Sequence, residues 1–261
     1  MDDRPREPRE PREPREPWEP REPWEPREQV KSLIAVVLTF ASGATDVISY
    51  TRLGGVFTSV MTGNIVLLGL AVAHASVSLA THTTTSIAGY IAGVAGSTWI
   101  GRAFGGSHAE TSGDLRASGL PPEVIWALLA EFIAIAGFTL GFEISGARPA
   151  GWAQFCLLAT VAAAIGIQSA TVNRMKLTDV GTTYLTGTLT TLVSSLVTPG
   201  PTRYKLRRFG VLFGLAAGAG LSGLLIKTAA AAAPAAPLAA LAVALVLAWA
   251  PARWWRSPDR E

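Results

Sequence analysis

The chain has 261 residues, 49% of them hydrophobic and only 16% charged, with a formal net charge of +3. Residues 1–28 hold seven Arg and ten Asp/Glu, so the body from residue 29 onward carries 15 Lys/Arg and nine Asp/Glu on an otherwise apolar sequence. That split excludes one soluble globular domain and indicates a polytopic membrane protein; the basic balance also lacks the aromatic-interleaved surface that would follow nucleic-acid phosphates.

In chain order, residues 4–28 repeat a Pro-Arg-Glu triplet with Trp18 and Trp24 where Arg is due, and they hold eight of the 17 prolines. Proline every third residue removes backbone donors and restricts the residue before it, so residues 1–30 are expected to be a polyproline-II or disordered tail. The tail lacks a signal peptide's basic start followed at once by an apolar run. A membrane domain follows over residues 31–252, and residues 253–261 form a basic C-terminal tail.

The membrane domain reads as all-α, with about eight hydrophobic segments at 32–50, 57–73, 84–104, 124–145, 152–172, 180–197, 209–226 and 229–250. Each approaches the ~20 residues that a helix needs to cross the hydrocarbon. Breaks are expected at Gly54-Gly55, Thr81–Thr85, Gly105–Pro122, Gly146–Pro149, Asn173–Asp179 and Thr198–Arg208. Segment eight contains Pro234 and Pro237 and should start late or kink. If every segment crosses, Lys and Arg in the connections divide nine against six, with both termini on the richer side. By the positive-inside rule that side is the cytoplasm.

Shifting the sequence by 124 residues aligns Thr58-Ser-Val-Met-Thr-Gly-Asn64 with Thr182-Thr-Tyr-Leu-Thr-Gly-Thr188, and Asp46 with Ala170. After a three-residue deletion Gly89 meets Gly210 and Gly93 meets Gly214. An internal repeat of residues 31–146 and 151–250 is therefore expected, with segments 2 and 6 short or discontinuous. Four spans per half would leave the halves parallel, whereas three would invert them.

Paired short segments at matching positions mark a transporter's binding site, where unwound backbone and helix ends hold a solute or ion. Thr62, Gly63 and Asn64 in the first half, and Thr186, Gly187 and Thr188 in the second, are the candidate lining residues. Asp46 lies inside the first segment, where a carboxylate costs roughly 2.5–3.5 kcal/mol on insertion scales and should face an interior or a water cavity. Glu131 in segment four is a second candidate ion- or proton-binding carboxylate, and Gln168 in segment five a candidate amide. Arg174 either neutralises Asp46 or an anionic solute, or snorkels to headgroups. The glycine faces of segments three and seven, Gly89 to Gly101 and Gly210 to Gly223, should pack against each other or across an interface between copies of the chain.

Other chemistry has little support. Cys156 is the only cysteine. His74, His82 and His108 read as loop residues without metal-ligand spacing, and no nucleophile–base constellation or phosphate-binding loop is visible, so no catalytic residue, metal or cofactor is expected.

Gly43-Ala-Thr-Asp46, Leu53-Gly-Gly-Val-Phe57, Met61-Thr-Gly-Asn64, Gly166-Ile-Gln168 and Thr186-Gly-Thr188, in that order, resemble the YoaK-like bacterial membrane proteins, a domain-of-unknown-function family. The resemblance spans roughly residues 30–250 and implies a bacterial inner-membrane protein; this chain has Ser169 where Asn is expected in similar sequences. The sequence thus points to a secondary transporter or facilitator of a small solute or ion in the lipid bilayer. The alternative is a non-transporting module that binds a protein partner through its tail and the Arg203–Arg208 stretch.

Overall fold

The computed structural model describes residues 26–105, 120–175, 185–197 and 202–249. Residues 1–25, the C-terminal tail, His108 and the start of segment six lie outside these residues; the last repeat triplet, Pro26-Arg27-Glu28, is helical and opens α1, so the expected tail over residues 1–30 ends earlier, because proline at the start of a helix gives up an N–H that has no partner there. The elements are α1 (Pro26–Arg52), α2 (Met61–Ala73), α3 (Val77–Gly105), α4 (Pro122–Ile144), α5 (Gly151–Arg174), α6 (Leu185–Val197), α7 (Thr202–Thr228), a short 3-10 turn (Ala230–Ala232) and α8 (Ala235–Trp249). Among the described residues five stretches, Glu28–Arg52, Pro122–Ile144, Gly151–Arg174, Lys205–Thr228 and Ala230–Trp249, are long and apolar enough to cross a membrane. The chain is an all-α membrane protein.

Two expected breaks move. Thr81–Thr85 lies inside α3, because Thr81, Thr83 and Thr85 hydroxyls donate to the carbonyls of Val77, Leu79 and Thr81 one turn earlier and so satisfy themselves along the helix. The break falls instead at His74–Ser76, where Ala75 adopts φ +50°. The Arg203–Arg208 stretch is not a loop either: it opens α7, and Arg207 lies 3.9 Å from Glu28 at the start of α1. Segment eight starts late, as its prolines imply, with α8 beginning just after Pro234.

The glycine faces of α3 and α7 do not meet each other. A Cβ built on Gly89 would lie 2.7 Å from the Ala159 carbonyl oxygen of α5, one on Gly93 2.0 Å from that of Ala163, and one on Gly166 2.2 Å from that of Tyr90. On the other side of the molecule the equivalent distances are 2.9 Å from Gly214 to the Val36 oxygen of α1, 2.0 Å from Gly218 to that of Phe40, and 2.1 Å from Gly43 to that of Leu215. Helix backbones therefore touch along two seams, α3 with α5 and α7 with α1. In lipid such van der Waals contact between small residues is a main source of helix association.

These contacts also give the directions of the helices. Along both seams residue numbers rise together, so α3 runs parallel to α5 and α7 parallel to α1. Gln154 near the start of α5 donates to the Arg52 carbonyl at the end of α1, whereas Gln168 near the end of α5 donates to the Leu38 carbonyl, so α5 runs antiparallel to α1. Gly141 packs on Leu157 across the turn between α4 and α5, making that pair antiparallel. Asn64 and Ser86, 3.1 Å apart, stand equally far from the turn at 74–76, so α2 and α3 form an antiparallel hairpin.

If the seams hold the fold, Gly93→Ala and Gly218→Ala should each lower stability by about 3 kcal/mol, the upper part of the overpacking range, because a carbonyl on the partner backbone cannot swing away. Gly96 has nothing within 4 Å of a built Cβ. Gly96→Ala should be neutral or raise the melting midpoint in detergent, and equal loss in all three variants would refute the seams.

Candidate functional site

Between α1 and α2 the chain does not pass straight on. After Arg52 it turns at Gly54 and Gly55, which have φ +98° and +74°, and runs back beside α1 as irregular backbone to Val60. Asp46 receives it. One carboxylate oxygen, Oδ1, accepts the Thr58 and Ser59 backbone N–H groups at 2.7 and 2.8 Å and the Thr58 hydroxyl at 3.0 Å, and Oδ2 accepts the Ser59 hydroxyl. Thr58 Oγ1 also reaches Thr45 Oγ1 at 3.2 Å. Six residues separate Asp46 from Arg52, so the irregular segment is held about 9 Å back from the end of α1.

Asn64, fully buried in the second turn of α2, closes the same segment from the other end. Its Oδ1 accepts the Phe57 N–H at 2.9 Å, and its Nδ2 donates to the Phe57 carbonyl at 2.7 Å and to Ser86 on α3. Ser86 donates to that carbonyl as well. Asp46 and Asn64 together thus satisfy the Phe57 N–H and carbonyl and the Thr58 and Ser59 N–H groups within the helix bundle, as non-helical chain in a membrane protein requires. The first turn of α2 has no side-chain cap, and Thr62 there is exposed.

One α1 turn below Asp46, Ser42 accepts from Gln168 Nε2 at 3.1 Å. Gln168 Oε1 is buried without a partner, as is Ser49 Oγ one turn above Asp46. The structure therefore brings Asp46, Asn64 and Gln168 onto one polar strip. Thr62, exposed, and Gly63, half-buried, lie in the first turn of α2.

Glu131 does not join them. It is fully buried on α4, and both of its carboxyl oxygens lack a hydrogen-bond partner. On α6, Thr188 is buried while Thr186 and Gly187 are exposed. Arg174 neither pairs with Asp46 nor reaches for headgroups: it donates to the carbonyl and hydroxyl of Ser97 on α3.

Sequence reasoning missed the donors. Thr58 and Ser59 precede α2 and Ser42 and Thr45 share the Asp46 face of α1, a spacing that was readable. It also placed His82 in a loop. His82 is buried on α3: Nδ1 donates to the Ser78 carbonyl at 2.7 Å, Nε2 lies 3.2 Å from Gln154 Oε1, and the ring stacks on Phe155. With the Gln154 bond to Arg52, it ties the starts of α3 and α5 to the end of α1.

Asp46→Ala strands the Thr58 and Ser59 N–H groups, each at roughly 1–3 kcal/mol, and should lower stability by about 3 kcal/mol, whereas Asp46→Asn retains an acceptor and should lose less. Equal melting midpoints for Asp46→Ala and the wild type would remove this role. Glu131→Leu takes an unpartnered polar group out of the interior and should raise the midpoint. A fall of several degrees in that variant would mean that Glu131 has a partner.

The sequence profile of a protein family described as "Protein of unknown function (DUF1275)" matches residues 34–248. The chain is 28% identical over 169 residues to the "UPF0700 transmembrane protein YoaK" of Bacillus subtilis (strain 168), covering 64% of this chain and 67% of that protein. No solved structure matches.

Proposed function

Because the chain belongs to the DUF1275 family of proteins of unknown function, its activity has to be read from its own geometry, and we propose that it is a secondary transporter or facilitator of a small solute. The observation that carries this reading is the irregular, internally hydrogen-bonded segment 53–60 leading into an uncapped 13-residue helix within a bundle of apolar helices. Backbone broken at membrane depth is tolerated only inside protein or beside a water-filled cavity, and paired broken segments are where transporters bind solute.

In this reading Asp46 is a positioning residue, since hydrogen bonds from Thr58 and Ser59 already occupy both carboxylate oxygens. The free polar groups are the ones offered to the solute: the Thr62 hydroxyl, the Thr62 and Gly63 N–H groups of the first turn of α2, whose Met61 and Asn64 N–H groups are taken by the Ser59 and Val60 carbonyls, and the unpaired Gln168 Oε1. Glu131 supplies a separate buried carboxyl for a coupled proton or cation.

A two-fold correspondence of packing contacts supports the transporter reading. A shift of 123 residues from α1 to α5, with 125 from α3 to α7, carries the Gly214–Val36, Gly218–Phe40 and Gly43–Leu215 contacts onto Gly89–Ala159, Gly93–Ala163 and Gly166–Tyr90. Distances agree within 0.2 Å in all three pairs. In this packing register Asp46 corresponds to Ser169, one residue from the Ala170 that the sequence shift suggests.

Proteoliposomes carrying the protein should equilibrate at least one solute from a panel of small sugars, amino acids and carboxylates faster than empty vesicles. Thr62→Val should slow that flux about tenfold, the equivalent of one lost hydrogen bond, without moving the melting midpoint. Glu131→Gln should abolish uphill accumulation while leaving downhill flux. A panel with no flux above empty vesicles, or a Thr62→Val variant at full rate, overturns the reading.

A further inference from the structure

We propose that the two halves cross the membrane in opposite senses: six helices span it, α2 enters and leaves on the face where α1 ends, and α6 enters and leaves on the face where α1 begins, which is cytoplasmic. This arrangement is independent of the transport reading, and it replaces the eight-span alternation expected from hydropathy.

The first half carries the argument directly. Segment 53–60 runs back beside α1, held by Asp46, and α2 begins there. Thirteen residues of α2 cover about 20 Å, short of the ~30 Å hydrocarbon layer. The hairpin geometry of α2 and α3 then returns the chain to the face from which it dipped, because α3 starts beside the end of α1: its His82 meets the Gln154 that holds the Arg52 carbonyl. Only α1, α3 and α4 cross in this half; α3 is not among the five stretches that hydropathy alone marks as spans, and it is counted as crossing because its 29 residues are long enough and its backbone lies against that of the spanning α5 at Gly89, Gly93 and Gly166.

The second half repeats the plan upside down. Its first helix, α5, runs antiparallel to α1, and its third, α7, runs antiparallel to α3. Helix α6 packs on α7 and joins it through the short stretch 198–201, so α6 ends on the face where α7 begins. That is the face where α1 begins, since Arg207 of α7 meets Glu28 of α1. Three crossings per half is an odd number, which inverts the second half relative to the first.

Charge supplies a second and separate argument. With α2 and α6 taken out of the count of crossings, the face where α1 begins collects 12 of the 15 Lys and Arg found from residue 29 onward. Arg52, Arg148 and Lys227 alone remain on the other face. Alternating eight spans divides the same residues only nine to six. Positively charged connections are retained in the cytoplasm, so the sharper division favours six crossings and fixes their orientation.

One consequence is that each membrane face receives a short helix returning to it from within the layer: α2 on the outer face, α6 on the cytoplasmic face. The two are not equivalent. Asp46 holds the outer one, whereas the Ser169 hydroxyl at the matching position donates to the Ile165 carbonyl of its own helix.

Single cysteines in a full-length Cys156→Ser background test the arrangement with a membrane-impermeant maleimide on intact cells. Ser76→Cys, Ser145→Cys and Thr228→Cys should react at once, whereas Ser107→Cys, Thr198→Cys and Ser257→Cys should react only after permeabilisation. Reaction of Ser76→Cys and Thr198→Cys from the same face would overturn the proposal, because eight alternating spans put those two positions together. Neither result depends on flux, so failure of the transport assay and failure of this topology are separately visible.

Discussion

Non-helical backbone inside a hydrocarbon layer has no water to bond with, and the whole first half of this protein is arranged around one carboxylate that answers that need. Asp46 takes the N–H groups of Thr58 and Ser59 along with their hydroxyls. Asn64 takes both backbone groups of Phe57. Those bonds hold the returning segment against α1, and the 13-residue α2 starts from it. Gly54 and Gly55, at φ +98° and +74°, turn the chain, and without the carboxylate the Thr58 and Ser59 N–H groups that follow would lose their acceptor.

Around this strip the bundle is held by close backbone contact more than by large side chains. Gly89 and Gly93 of α3 with Gly166 of α5 form one seam, and Gly43 of α1 with Gly214 and Gly218 of α7 form the other. Each seam joins a helix from residues 26–105 to one from residues 151–228, so the two parts of the chain pack through one another. Association in lipid lacks the hydrophobic driving force available in water, and the glycines supply contact area by letting backbones touch. The outward faces are correspondingly apolar, with Trp99, Ile133, Val246 and Phe213 more than half exposed.

Much of this was legible beforehand, for reasons that differ from residue to residue. Asp46, Asn64 and Gln168 stood out because polar side chains are expensive in apolar segments and are kept where something satisfies them. Their partners were harder to read: Thr58, Ser59 and Ser42 are cheap residues, common in membrane helices, and only their placement gives them meaning. Thr81–Thr85 misled because hydroxyls bonded to the preceding turn make a polar run compatible with a continuous helix. Arg174 misled because its reach permits several partners, and Ser97 became one of them through the α3–α5 seam.

Composition and hydropathic spacing alone determined that the chain is an all-α membrane protein with eight helical segments, two of them short, since those features depend on local transfer energy and residue counts. The tertiary structure decided how the segment before α2 is bonded and which helices the glycine faces meet. A 13-residue apolar helix has the same hydropathy whether it continues across the layer or turns back, and a glycine face has the same spacing whichever backbone it touches. Those outcomes depend on contacts between residues far apart in the chain, such as Phe40 with Gly218, 178 positions on, and such pairings leave no periodic mark along the chain.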